Sequence, residues 1–226
     1  MRGIIALWDS SIGKKYIMAA SGLLLLAWIF LHAVGNLKVF TGPQHFNEYG
    51  EFLRVIGAPV LGQSQLLWVI RFVLLLALVL HVTTFVQLWR RDRAARTVRY
   101  ARYDPQVFSF ASRTMRWGGI AVLLFVIYHL LHFTTGDAHP QFRPLDPYHN
   151  VVAGFQSPVV AIIYIGAVTA LGLHLYHGLW SAFQTLGLNN PRYNRFRRPL
   201  ALVVAVTITL AFMTVPLAVL AGILTE

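Results

Sequence analysis

The sequence predicts an all-α integral membrane protein with five transmembrane helices in a single domain, 1–226. Two observations carry this expectation. Of 226 residues, 57% are hydrophobic and only 12% charged, with a mean hydropathy of +0.60, far from the balance of a soluble domain. The apolar residues also gather into five runs, each of about 20 residues or more and so long enough to cross roughly 30 Å of hydrocarbon. Such runs satisfy their backbone hydrogen bonds internally as helices, whereas barrel strands would alternate over about 10 residues.

The first run, about 16–40, follows Lys14 and Lys15 and contains His32. It is too long for the apolar part of a cleaved signal peptide, so the first helix is expected to stay as an anchor. The second, about 65–89, contains His81 and closes against Arg90, Arg91 and Arg93; the third, about 116–135, contains His129 and His132. The fourth, about 158–185, contains His174 and His177, and the fifth, about 199–224, has no histidine. Between them lie segments expected to be loops.

Fifteen Lys and Arg fall on one side of this topology: Arg2, Lys14 and Lys15, then Arg90, Arg91, Arg93, Arg96, Arg99, Arg102, Arg113 and Arg116, then Arg192, Arg195, Arg197 and Arg198. The other side has Lys38, Arg54 and Arg143. The asymmetry predicts a cytoplasmic N-terminus in a bacterial inner membrane and Glu226 outside. It also accounts for the formal charge of +11, so nucleic acid is not expected as a partner. The absence of cysteine excludes disulfides, thiolate iron-sulfur ligation and c-type haem attachment in this chain.

Six of the nine histidines lie in the apolar runs, where a polar group is costly and marks a functional site by default. At about 1.5 Å per residue, His32 and His129 lie roughly 24–27 Å from the basic boundary, and His81 and His174 nearer to it, roughly 14–21 Å. Helices one and three thus offer an outer pair of imidazoles, and helices two and four an inner pair. Two bis-histidine haems stacked in a four-helix bundle need that arrangement. Interhelical hydrogen bonding is the competing role for any one of these histidines. His132 and His177 each follow a neighbour by three positions and share its helical face, so spacing alone leaves the ligand of each couple open. Gly22 and Gly35 flank His32, Gly118 and Gly119 precede His129, and Gly172 and Gly178 flank His174. Missing side chains there suit either the edge of a macrocycle or close helix packing.

Several segments carry a resemblance: SSIGKKYIMAASGLLL with LHAVGNL, FNEYGEFL, LHVTTFVQL, ASRTM with LLFVIYHLLHF, and above all GLHLYHGLWSAFQTLGLNNPRYN. Together they resemble the cytochrome b subunit of succinate dehydrogenase or quinol:fumarate reductase, in its single-chain, five-helix, di-haem form. The resemblance implies a membrane anchor that docks a flavoprotein and an iron-sulfur subunit on the cytoplasmic face. Such an anchor does not itself oxidise succinate; it passes electrons through two b haems to or from a quinone, menaquinone for the di-haem type. It puts the axial ligands on His32 and His129 and on His81 and His174, leaving His132 and His177 beside the haems. Ser11, Lys15, Arg113 and Thr114 are the candidates for propionate partners. His45, Glu48 and Glu51, after the first helix, are candidates for protonating a quinone. The rivals are a di-haem anchor of another quinone-linked dehydrogenase and a haem-free proton-coupled transporter, which would need broken helices or midplane acids.

Overall fold

The computed structural model describes residues 8–95, 110–188 and 190–226, with the backbone alone at 110–113. Among the described residues there is no strand, and five helices are long and apolar enough to span a bilayer. Helix α1 is Ser11–Leu37, α2 Pro43–Val55, α3 Gln65–Ala94, α4 Phe110–Leu130, α5 Pro147–Gln156, α6 Pro158–Thr185 and α7 Pro191–Leu220. The spans are α1, α3, α4, α6 and α7.

Several ends differ from the hydropathy boundaries because capping, not hydropathy, sets them. Helix α1 begins five residues early, where the Ser10 hydroxyl accepts from Gly13 N at 2.8 Å, and it passes into a 3-10 turn over Lys38–Thr41. Helix α3 runs on to Ala94, since its arginines are good helix formers that can reach the headgroups. Helix α4 closes in a π turn, Leu131–Thr135. Helix α7 starts at Pro191, behind an Asn190 cap on Arg192 N, and carries Pro199 inside it. Arg192, Arg195, Arg197 and Arg198 are therefore helical and not in a loop.

Helices α2 and α5 replace expected loops. Each opens on a proline, α2 after Gly42 at φ +97° and α5 after Asp146, whose carboxylate accepts from His149 N. Proline suits the first helical turn, where its missing N–H is not needed. Asn47 locks the two together: its amide donates to Asp146 Oδ1 at 2.9 Å and its carbonyl accepts from Tyr148 N at 3.0 Å. They cap the end of the bundle opposite the arginine-rich end, over a core of Val39, Phe46, Tyr148, Val152, Phe155 and Tyr164.

The spans pack in sequence around α1 and α6. Helix α1 packs on α3 and α6, and α6 packs on α4, while α7 lies across α1 and α6. The pairs α1/α4, α3/α6 and α3/α4 have little close backbone approach. Large apolar side chains such as Phe72, Leu76, Leu124 and Val203 face outward. That arrangement would be a liability in water and costs nothing against lipid.

Candidate functional site: two histidine pairs across the bundle

Two of these gaps, α1/α4 and α3/α6, are bridged by imidazoles. Toward the arginine-rich end, His81 of α3 meets His174 of α6 with ring centres 6.1 Å apart and planes at 62°. Toward the capped end, His32 of α1 meets His129 of α4 at 5.8 Å and 77°. Gly22, which lies against His81, precedes His32 on α1 by ten residues, about 15 Å of rise. The pairs therefore sit at two levels, as their depths predict.

Each pair has its own surroundings. His81 Nδ1 is 3.1 Å from the Met18 carbonyl and 3.4 Å from Ser21 Oγ. Ser21 already donates to Ile17 O at 2.7 Å, so both oxygens accept and His81 Nδ1 carries the hydrogen. A Cβ on Gly22 would stand 3.1 Å from His81 Cε1, and one on Gly119 3.7 Å from His174 Cε1. These two glycines thus back the pair near the arginine-rich end, the face of α1 that bears Gly22 being turned to α3. Gly35 instead receives the Tyr49 ring and Gly172 the side chain of Thr209, which is close packing. His174 Nδ1 is buried without a hydrogen-bond partner among the described residues. His177 packs edge-on to Trp180 at 5.5 Å, and Arg198 lies over that indole at 5.0 Å.

At the other level, Trp28 stacks on His32, and Phe212 of α7 covers it at 5.7 Å. Phe125 and Phe133 flank His129. Tyr164 of α6 places its hydroxyl 3.4 Å from His129 Nδ1 and 3.1 Å from His132 Nδ1. His132 is only 1% exposed and stacks on His139 with ring centres 4.7 Å apart. Behind it, His139 Nε2 donates to Asn150 O at 2.9 Å, and His149 Nδ1 meets Glu226 at 2.8 Å. Sequence reasoning left out Tyr164, His139, His149 and Asn150. Tyr164 lies within the fourth apolar run and the other three in a segment expected to be a loop, and neither position signals which ring it will meet.

The remaining candidates are scattered. Ser11 Oγ accepts from Arg91 Nη1 at 3.3 Å, joining α1 to α3 at the arginine-rich end, and Thr114 lies one turn into α4. Lys15 is exposed, while Lys14 is 3% exposed, donating to Trp8 O with its ammonium over the indole. Adjacent helical residues point about 100° apart, so only one of the two lysines can turn inward. The side chain of Arg113 lies outside the described residues, as do Arg2, Arg96, Arg99 and Arg102. On α2, His45 and Glu48 approach at 3.4 Å with 70% and 57% of their side chains exposed. Glu51 shares that open face, and the contacts of these three do not include the histidine pairs.

Among the described residues no group of three or more His, Cys, Asp or Glu could hold a metal ion. Two-histidine sites of this kind complete a metal's coordination only with a ligand that brings its own donors, as a porphyrin does. Fold and site thus define a multi-pass helical membrane protein with two intramembrane imidazole pairs. The family model for the succinate dehydrogenase/fumarate reductase transmembrane subunit matches residues 90–214, more than half of the chain. This chain belongs to that family and is a membrane subunit of the succinate dehydrogenase/fumarate reductase complex. No curated protein and no solved structure matches it. Membership sets aside the transporter and the anchors of unrelated dehydrogenases.

Proposed function

We propose that this subunit is of the di-haem type, with one b haem held by His32 and His129 and another by His81 and His174. The observation that carries the reading is the ring separation in both pairs. With metal-nitrogen bonds of about 2 Å and ring centres about 1 Å beyond, two imidazoles on one iron lie about 6 Å apart. The donor chemistry fits as well. A ligating histidine donates its second N–H to an acceptor, and His81 does so to Met18 and Ser21, leaving Nε2 as a lone-pair donor. Gly22 and Gly119 supply side-chain-free backbone beside the same pair.

When bound, each haem would supply a one-electron carrier held by two imidazoles of this chain. The chain's own residues hold the rings on rigid helices, keep water away with Trp28, Phe125, Phe133 and Phe212, and set ligand basicity through the Nδ1 partners. Two sites at different depths carry electrons along the bundle. The arginine-rich end faces the cytoplasm by the positive-inside rule and receives the flavoprotein and iron-sulfur partners of the complex. Ser11, Lys15, Arg113 and Thr114 are the propionate candidates there, joined by Lys14. A quinone, menaquinone in this reading, reacts at the opposite end, with His45, Glu48 and Glu51 of α2 as proton donors.

A pyridine haemochrome assay with a reduced-minus-oxidised spectrum tests this. Two haems per chain are expected, with one absorbance band lost in His81→Ala or His174→Ala. Both bands at full strength in those variants would defeat the pairing.

A further inference from the structure

His132 lies on the same face of the chain as His129, one turn on, yet their surroundings assign them different work. A phenol hydroxyl has one proton and sits here between two imidazole nitrogens, His129 Nδ1 at 3.4 Å and His132 Nδ1 at 3.1 Å. One nitrogen must bring a hydrogen and the other accept one. With Nε2 of His129 on iron, as proposed above, its Nδ1 carries the hydrogen and donates to Tyr164. The tyrosine O–H then donates to His132 Nδ1, which accepts as the Nε2–H tautomer.

Packing holds His132 in that position. A Cβ on Gly154 would stand 2.9 Å from His132 Cε1 and 3.4 Å from its Nε2, so the far edge of the ring rests on the α5 backbone. Its face is covered by His139, 19° from parallel. His139 cannot turn, because Nε2 donates to Asn150 O and Nδ1 accepts from Gln141 N at 3.2 Å. The ring of Tyr164 is fixed edge-on by Phe125 and Phe155, each at 4.9 Å.

We propose that Tyr164 is a positioning residue for the outer haem: its oxygen accepts the His129 Nδ1 hydrogen, orienting that ring, and His132 is the acceptor behind it and not an iron ligand. The proposal rests on the di-haem reading. An acceptor on Nδ1 raises the electron donation of the imidazole to iron and favours the oxidised state, so its removal raises the potential of that haem alone.

Tyr164→Phe keeps the aromatic packing and removes only the hydroxyl. In the purified complex, redox titration should find two haems. One reduction equilibrium should move about tenfold toward the reduced form, 59 mV for a one-electron couple, and the other should not move. The low-spin ferric EPR signal of the shifted haem should change with it. His132→Ala should retain both haems and move the same potential in the same direction by less, and it decides the matter if Tyr164→Phe fails to assemble. Two haems with unmoved potentials, or loss of a haem in His132→Ala, would overturn the proposal while leaving the di-haem reading in place. Absence of haem from the unmutated complex would instead defeat that reading and this inference together.

Discussion

Gly22→Ala and Gly118→Ala form a matched pair, because both glycines lie inside spanning helices and only one faces a histidine. A Cβ at Gly22 meets His81 Cε1 at 3.1 Å and Nδ1 at 3.3 Å, whereas one at Gly118 meets no neighbouring side chain of the described residues within 4 Å. The substitution itself favours the helix by about 0.5–1 kcal/mol. At Gly118 that gain stands alone. At Gly22 the His81 ring must shift by several tenths of an ångström, stretching its 3.1 Å bond to Met18, which is worth about 1 kcal/mol. The overpacking adds about 1–3 kcal/mol, leaving a net loss of about 1–3 kcal/mol. For a chain of this size each kcal/mol moves the midpoint by about 2–4 °C. Thermal unfolding in detergent should therefore place Gly22→Ala about 2–12 °C below the parent and Gly118→Ala at or slightly above it. Haem spectra recorded on the same samples should show weakening of the His81/His174 band in Gly22→Ala only. Equal midpoints and unchanged bands in both variants would refute the placement of Gly22 against His81.

Other expectations follow from the same geometry. Gly154→Ala forces a methyl group into the edge of the buried His132 ring and should lower the unfolding midpoint more than Gly22→Ala does, read by the same melt. Gly172→Ala places its Cβ on the Thr209 hydroxyl and should destabilise the α6/α7 contact, with the double variant Gly172→Ala, Thr209→Ser recovering little and Gly172→Ala, Thr209→Ala recovering most of the loss. Replacing Glu48 and Glu51 together with Gln should abolish quinone turnover while both haem bands persist; turnover at the parental rate would eliminate α2 as the proton donor.

The five spans and the depth of each histidine were legible in the sequence because both depend on position along one axis. Hydropathy is a local sum, and a helix rises by a fixed amount per residue, so counting matches His32 in height with the His129/His132 couple and His81 with the His174/His177 couple. Rotation about that axis is set only when helices dock. The sequence therefore could not tell that Lys14 and not Lys15 turns inward, nor that Gly22 serves His81 and not His32. It likewise left open that His132 is taken up by Tyr164, His139 and the α5 backbone. Helices α2 and α5 were hidden for another reason: they are too short to register as spans, and they hold together through the Asn47–Asp146 contact between segments about 100 residues apart. Apolar length fixes what lies in the lipid and at what height. Only packing between distant segments decides which ring faces which.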